Sequence, residues 1–144
     1  MSSNGSPMSD DAVDGHYRIT LIDALEAHDR ICKAAGDDPA VRSLDQLASA
    51  IGRPYCGYFP ELSQKAAALM DGLAGSQIFF TANKRTAIAL VGVLINKIGS
   101  RLYPHGDERI TTATEELSKV VGARRIDLDT LTNRYRVRLR RFVG

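Results

Sequence analysis

The chain has 144 residues, enough for one globular domain, and an apolar content of 44% that is typical of a protein with a buried core. Its formal net charge of +2 is too small to indicate nucleic-acid binding by charge alone. Cys32 and Cys56 have no metal-binding or redox spacing and fit a reducing cytosol better than a disulfide framework. Because the N-terminus lacks an apolar signal core, we expect a cytoplasmic protein with no membrane association.

The N-terminal part combines a polar segment with a first helix. Residues 1–15 are rich in Ser, Asp, Gly and Pro and predict a flexible tail before one domain over residues 16–144. Thr20 can cap a helix that Gly36 ends. The apolar face of this helix is expected at Leu21, Leu25, His28, Cys32 and Ala35. We expect His28 to be a packed, hydrogen-bonded core residue rather than a catalyst.

Two further helices and a loop follow. Ser43 and Gln46 have the spacing of a capping box and predict a short amphipathic helix. Its apolar positions are Leu44, Leu47, Ala48 and Ile51. Residues 53–60 contain prolines, a glycine and aromatics, and predict a structured loop. Pro60 suits the first turn of a third helix that reaches Ala74. Its buried face is expected at Leu62, Ala66, Leu69 and Leu73.

The strongest helical signal covers residues 82–98, which are apolar on almost every side. Such a helix is buried among other helices or spans a membrane. Since a span needs about 20 apolar residues, we expect a central core helix instead. It opens with Asn83, Lys84 and Arg85, where free backbone N–H groups, the positive end of the helix dipole and two cations favour a bound phosphate.

The C-terminal part predicts two helices, one over about residues 109–121 and one capped by Asp127. In the second, apolar residues at helical spacing are Leu128, Leu131, Tyr135, Leu139 and Phe142. A strand from Asn133 is the alternative, which the spacing disfavours. We interpret the arginines between 134 and 141 as a solvated face that suits the helix dipole, with binding of an acidic partner or RNA as the alternative.

The stretch that begins at Gln77 resembles the signature of the Fic/Doc family, most closely its Doc (death-on-curing) branch. That signature reads His-x-Phe-x-(Asp/Asn)-(Ala/Gly)-Asn-Lys-Arg-Thr. Phe79 and residues 82–86 match it in register, whereas Gln77 stands at the catalytic His position and Thr81 at the acidic position. The resemblance extends over about residues 19–102. Other Doc-like segments, in Doc order, are Ala27–Arg30, Val41–Leu44, Arg53–Pro54 and Lys65–Leu69.

This resemblance implies an all-α fold, a compact bundle of about six helices around a central buried helix. Enzymes of the family bind ATP or another nucleotide, and their His takes a proton from a hydroxyl of a target protein. Typical members transfer AMP, and Doc transfers the terminal phosphate to a translation factor, elongation factor Tu. Doc is the toxin of a toxin–antitoxin pair. The implied partners are therefore an antitoxin or another acidic protein segment and a protein target, with nucleic acid not expected.

The resemblance also assigns roles to single residues. Ala82, Asn83, Lys84 and Arg85 would hold phosphates, with Phe79 anchoring the loop before them. At the family's base position, Gln77 has a carboxamide with no usable basicity. At the acidic position, Thr81 offers only a neutral hydroxyl, a poor ligand for Mg²⁺. We therefore expect a Doc-like toxin-type protein with a degenerate active site, which retains a phosphate- or nucleotide-binding loop and has little or no transferase activity.

Two alternative functions remain open at this stage. The protein could be an active transferase that phosphorylates or AMPylates a protein hydroxyl by an altered mechanism. It could also be a non-enzymatic interaction subunit. In that reading Asn83 caps the helix, and Lys84 and Arg85 are solvated residues of its first turn.

Residues 53–60 correspond to the family's flap over the active site, and equally suit an aromatic-anchored loop packed on the core.

Overall fold

The computed structural model describes residues 16–97, 100–102 and 127–141. Within these ranges the chain forms an all-α bundle, as predicted, with one short strand pair beside it. The helices are α1 (Leu21–Ala35), α2 (Leu44–Gly52), α3 (Leu62–Ala74), α4 (Asn83–Asn96) and α5 (Leu128–Arg138). A 3-10 turn (Arg53–Tyr55) follows α2, and the strands are β1 (Ser100–Leu102) and β2 (Leu139–Arg141). The expected tail over residues 1–15 and helix over 109–121 lie outside the described residues.

Local chemistry sets the ends of the first two helices. Thr20 Oγ1 accepts from the Asp23 N–H at 3.0 Å, and Asp23 Oδ2 accepts from the Thr20 N–H, also at 3.0 Å. Gly36 ends α1 with a φ of 74°, a left-handed conformation that glycine adopts without strain. Ser43 Oγ accepts from the Gln46 N–H at 3.2 Å, which is one half of the predicted capping box. The predicted starts of both helices are confirmed.

Helix α3 is the most completely buried of the described helices. Ten of its 13 residues are buried, against six of 14 in α4, so both helices belong to the core. The predicted buried face of α3 is confirmed. The helix begins at Leu62, later than predicted, because the Glu61 N–H donates to Gln64 Oε1 at 2.8 Å and caps it there. Helix α4 starts where predicted, at Asn83, and ends at Asn96.

The predicted apolar faces of α1 and α2 are partly wrong. Leu44 is 51% exposed, and Ala48 and Ala35 are exposed too. Helix α2 lies at the edge of the bundle and packs on α1, α3 and the 3-10 turn through a narrow side, which buries Leu47, Ala50 and Ile51. An apolar residue outside this narrow side has no neighbour to pack on. The spacing of apolar residues in the sequence cannot indicate how wide the packed side of a helix is.

The loop over residues 53–60 is anchored by side chains. The Tyr55 hydroxyl donates to the Tyr17 carbonyl at 2.6 Å and accepts from the Ile19 N–H at 2.9 Å. Lys65 Nζ, on α3, donates to the carbonyls of Phe59 and Pro60 at 2.7 and 3.0 Å. The aromatic-anchored reading of this loop is therefore confirmed.

The end of the chain corrects a prediction. Helix α5 starts after the predicted cap, with the Asp127 side chain accepting from the Thr130 N–H at 2.8 Å. It does not continue through Leu139, because β2 begins there and pairs antiparallel with β1. Hydrogen bonding to a distant segment replaces the last helical turn. None of the helices in the described ranges is long and apolar enough to cross a bilayer.

Candidate functional site

An open cleft of about 550 Å³ lies at the N-terminus of α4. Its lining residues are Ala74, Gly75, Ser76, Gln77, Ala82, Asn83, Lys84 and Arg85. The fold thus brings together all of the residues that the sequence suggested for phosphate binding, with Gln77 beside them. Phe79 and Thr81 are not part of the lining. We call this space the signature cleft.

A second cleft of about 610 Å³ adjoins the signature cleft, and Ser76 contributes to both. Its walls come from α2, the 3-10 turn and α3, and include Arg53 and Cys56 of the predicted flap. Arg53 is occupied by an ion pair with Asp71 at 3.0 Å. Although this cleft is larger, it holds none of the predicted site residues, and we place the site in the signature cleft.

The first turn of α4 offers backbone donors to the signature cleft. Helices α1, α2 and α5 each have a side chain that caps the N-terminus, whereas the N-cap of α4 is Ala82, which makes no such bond. The first backbone bond of the helix runs from the Thr86 N–H to the Ala82 carbonyl at 3.0 Å. The N–H groups of Asn83, Lys84 and Arg85 are therefore available to a ligand, at the positive end of the helix dipole.

Ala82 has a strained backbone. Its φ of 67° and ψ of 25° are left-handed, and among the described residues it is the one non-glycine residue with a positive φ. This conformation costs an alanine about 1–2 kcal/mol. Strain of this kind persists where neighbouring contacts hold the chain, and it is frequent at functional sites.

Ala82→Gly should stabilise the fold by about 1 kcal/mol, because glycine adopts the left-handed conformation without the clash of a Cβ. The matched control is Ala48→Gly on the exposed side of α2, which should lose about 1 kcal/mol because glycine is a poor helix former. Urea unfolding at equilibrium measures both changes. Equal losses in the two variants would show that Ala82 is not strained.

The Asn83 side chain turns back into the loop. Its Oδ1 accepts from the Phe79 N–H at 3.0 Å, and its Nδ2 donates to the Phe79 carbonyl at 2.9 Å. The reading in which Asn83 caps the helix is therefore wrong, since Ala82 is the N-cap. Both polar ends of the carboxamide are used in this reciprocal pair, so Asn83 offers its backbone N–H to the signature cleft.

The loop before α4 is held from the other side by the segment between α1 and α2. Phe79 is 1% exposed and forms an isolated antiparallel bridge with Val41. The Ile78 carbonyl accepts from the N–H groups of Arg42 and Ser43 at 2.9 and 3.1 Å. These bonds fix the backbone that leads into the signature cleft.

Lys84 and Arg85 are both exposed at the signature cleft. Arg85 Nη2 lies 3.4 Å from Asp37 Oδ2, and both side chains are well exposed. An exposed pair of this kind contributes roughly 0–1 kcal/mol, so Arg85 can exchange Asp37 for an anionic ligand at little loss. Lys84 makes no ion pair with any other described residue. Asp37 was missed by the sequence analysis, because it is 48 residues from Arg85 and has no motif of its own.

Gln77 is exposed and is held by an arginine that the sequence analysis did not assign to the site. Arg42 Nη1 donates to Gln77 Oε1 at 2.9 Å, and the guanidinium lies 5.9 Å from the ring centroid of Phe80. The amide oxygen of Gln77 therefore faces Arg42, which leaves its NH₂ group as a donor. A donor at this position can bind an anion and cannot take a proton from a substrate hydroxyl.

The carboxylate of α3 and that of its N-cap are both held in ion pairs with arginines. Asp71 pairs with Arg53 at 3.0 Å, and Glu61 pairs with Arg136 of α5. Neither acid lines the signature cleft.

The donor atoms near Thr81 do not fit Mg²⁺. Thr81 has only a neutral hydroxyl, and its carbonyl is 3.0 Å from His28 Nε2, while the Asp37 carboxylate is paired with Arg85. Mg²⁺ prefers carboxylate and other hard oxygens in octahedral geometry. In the described ranges no three His, Cys, Asp or Glu side chains lie close enough to hold a metal.

His28 is a packed, hydrogen-bonded core residue, as predicted. It is 1% exposed, and its Nε2 also lies 3.4 Å from Cys32 Sγ. Burial raises the pKa of the Cys32 thiol, with a smaller contribution from Asp37. The thiol is therefore neutral near pH 7, and the pair is not a thiolate–imidazolium nucleophile.

The fold and the site together define the class of this protein. It is an all-α bundle with an open, basic cleft at the N-terminus of a core helix. The chain is 32% identical over 103 residues to the protein named Toxin Doc of Mycolicibacterium smegmatis (strain ATCC 700084 / mc(2)155), and the match covers 68% of this chain and 77% of that protein. The chain therefore belongs to the Doc family. No protein-family model matches it.

Proposed function

We propose that this protein is a toxin-type member of a toxin–antitoxin system whose signature cleft binds the phosphate of ATP or of another nucleotide, with little or no transferase activity. The observation that carries the proposal is the first turn of α4, where three available N–H groups meet Lys84 and Arg85 in one open cleft. The family membership and the name of the relative support the toxin-type role.

Phosphate binding is supported by the kinds of donor in the signature cleft. Backbone N–H groups at a helix start bind anions without moving. The planar guanidinium of Arg85 can make two parallel bonds to a phosphate, whereas Lys84 adds a mobile point charge. Arg42 adds a third cation beside the cleft through its contact with Gln77. The pair between Arg85 and Asp37 is exposed and weak, and does not block a ligand.

Low transferase activity is supported by what stands at the two substituted positions. A positioned base is typically worth about 10²–10⁴ in rate. Gln77 cannot serve as one, and its amide oxygen is already bonded to Arg42. Thr81 offers no carboxylate for a metal. Phosphate could therefore be held without activation of the acceptor hydroxyl.

The proposal includes protein partners and no nucleic acid. The relative is named a toxin, and the resemblance of this chain to Doc implies an antitoxin segment and a protein target such as a translation factor. An acidic segment would complement Lys84, Arg85 and Arg42 at the signature cleft. Binding of such a segment would compete with phosphate for the same donors.

Titration with inorganic phosphate and with ATP at low salt tests the binding. Arg85→Ala and Lys84→Ala should each weaken binding by roughly tenfold, because hydrogen bonds to charged groups are worth about 1.5–3 kcal/mol. The matched control is Lys33→Ala, an exposed cation on α1 that is paired with Asp29 and lies outside the cleft lining. It should leave the affinity unchanged. Binding should also weaken as salt rises.

Two outcomes would favour the alternatives. If calorimetry shows no heat with either ligand at low salt, the phosphate site does not exist, and an interaction subunit without a ligand is the better reading. If the unaltered chain transfers label from radioactive ATP to a protein in a bacterial lysate, the chain is an active transferase with an altered mechanism.

A further inference from the structure

We propose that His28 is a positioning residue of the signature cleft, and that it holds residues 79–82 in the conformation that directs the first N–H groups of α4 at a ligand. The inference deepens the proposed phosphate-binding function and rests on it for one of its two measurements. The other measurement needs no ligand. His28 lies on α1, outside the signature motif, and does not line the signature cleft.

His28 contacts the loop at two points. Its ring stacks on the ring of Phe79, with centroids 3.6 Å apart and planes 11° from parallel. Its Nε2 lies 3.0 Å from the Thr81 carbonyl oxygen. Between these two points Phe80 projects outward and is 66% exposed. The buried imidazole therefore contacts the loop on both sides of the exposed residue Phe80.

The contact with Thr81 identifies the protonated nitrogen of His28. A carbonyl oxygen only accepts hydrogen bonds, so Nε2 must carry the proton and donate it. The Cys32 thiol, 3.4 Å from the same nitrogen, then acts as a weak acceptor. This thiol is neutral because burial raises its pKa, so it does not compete as a charged partner for the Nε2 proton.

The accepting carbonyl belongs to the peptide group that leads into Ala82. Its orientation determines how the chain enters the left-handed conformation of Ala82, which alanine adopts only under constraint. The next three N–H groups belong to Asn83, Lys84 and Arg85, which line the signature cleft. Without the His28 bond, this peptide group can rotate and Ala82 can relax, and the donors lose their common direction.

Three substitutions of His28 separate the hydrogen bond from the ring stack. His28→Phe keeps an aromatic ring and removes the donor, His28→Gln keeps an N–H donor and removes the ring, and His28→Ala removes both. The matched control is Cys32→Ala, which alters a buried neighbour of His28 one turn further along α1. Each variant is measured by NMR for the affinity of inorganic phosphate and, without ligand, for amide exchange at Phe79 and Thr86, whose N–H groups donate to Asn83 Oδ1 and to the Ala82 carbonyl.

We expect His28→Phe to lose roughly tenfold in phosphate affinity and to speed amide exchange at Phe79 and Thr86 by a similar factor, since one buried hydrogen bond is removed. His28→Gln should return both values to within about threefold of the unaltered chain. The loss in His28→Ala should be at least as large as in His28→Phe. Cys32→Ala should change neither measurement, whatever its effect on the thermal midpoint.

Unchanged amide exchange and affinity in folded His28→Phe would overturn the inference, as would a loss in Cys32→Ala equal to that in His28→Phe. If the unaltered chain binds no phosphate, the proposed function fails, and amide exchange alone decides the role of His28. If His28→Phe does not fold, His28→Met takes its place as the apolar variant without a donor. Equal exchange in the Gln and Met variants would then overturn the inference.

Discussion

A double variant with Gln77→His and Thr81→Asp is expected to transfer a phosphoryl or nucleotidyl group to a protein on the order of 10²–10⁴ times faster than the unaltered chain. The first change supplies a group that can take a proton near neutral pH. The second supplies a hard carboxylate oxygen of the type that Mg²⁺ prefers. Both changes leave the backbone N–H groups of the first turn of α4, Lys84 and Arg85 in place.

The structure adds a reason why Gln77→His should work. Arg42 Nη1 lies 2.9 Å from the Gln77 amide oxygen, so an imidazole at this position would stand beside a guanidinium. A neighbouring positive charge disfavours the protonated imidazole and lowers its pKa. The ring would therefore stay unprotonated and able to act as a base through neutral pH.

Growth after induction in bacteria, together with transfer of label from radioactive ATP to lysate proteins, measures this gain. The two single variants are the controls, and each should gain little, because acceptor activation and metal placement act on one transition state. An unaltered chain as active as the double variant would contradict the degenerate-site reading. A folded but inert double variant would favour the interaction subunit, or a loss elsewhere, such as in residues 53–60, which line the adjoining cleft through Arg53 and Cys56.

Phe79→Ala is expected to destabilise the fold by about 3–5 kcal/mol, the usual cost of truncating a buried phenylalanine. Phe79 is 1% exposed and stacks on His28, and its backbone binds Val41 and Asn83. The loss of its ring removes the packing that orders the loop before α4. Phosphate affinity should therefore fall in the same variant, even under conditions where it remains folded.

The matched control is the adjacent residue. Phe80→Ala removes the same side chain from a position that is 66% exposed. The interaction lost there is the contact between the Phe80 ring and the Arg42 guanidinium, which lies 5.9 Å from the ring centroid. A surface change of this kind usually stays within about 0.5 kcal/mol. Urea unfolding of the two variants gives the comparison. A loss of less than about 1 kcal/mol in Phe79→Ala would contradict a role as the loop anchor.

Local rules predicted most of the helical structure. Thr20 and Gly36 bound α1, Ser43 starts α2, and the apolar run after Asn83 forms a core helix. Each of these signals depends on residues within about four positions of one another, which is the range over which a helix hydrogen bonds and shows one face. The same local signals predicted that Lys84 and Arg85 lie together in the first turn of α4.

The geometry of the site depends on contacts that no local rule contains. His28 meets Thr81 across 53 residues and Arg42 meets Gln77 across 35, and the pairing of β1 with β2 also joins segments that are distant in the sequence. Sequence therefore determined the family, the helices and the donors at the start of α4. Tertiary packing alone decided that Arg42 holds Gln77 and that a buried imidazole sets the peptide before Ala82, because each of these bonds joins segments that are far apart in the sequence and meet only in the folded bundle.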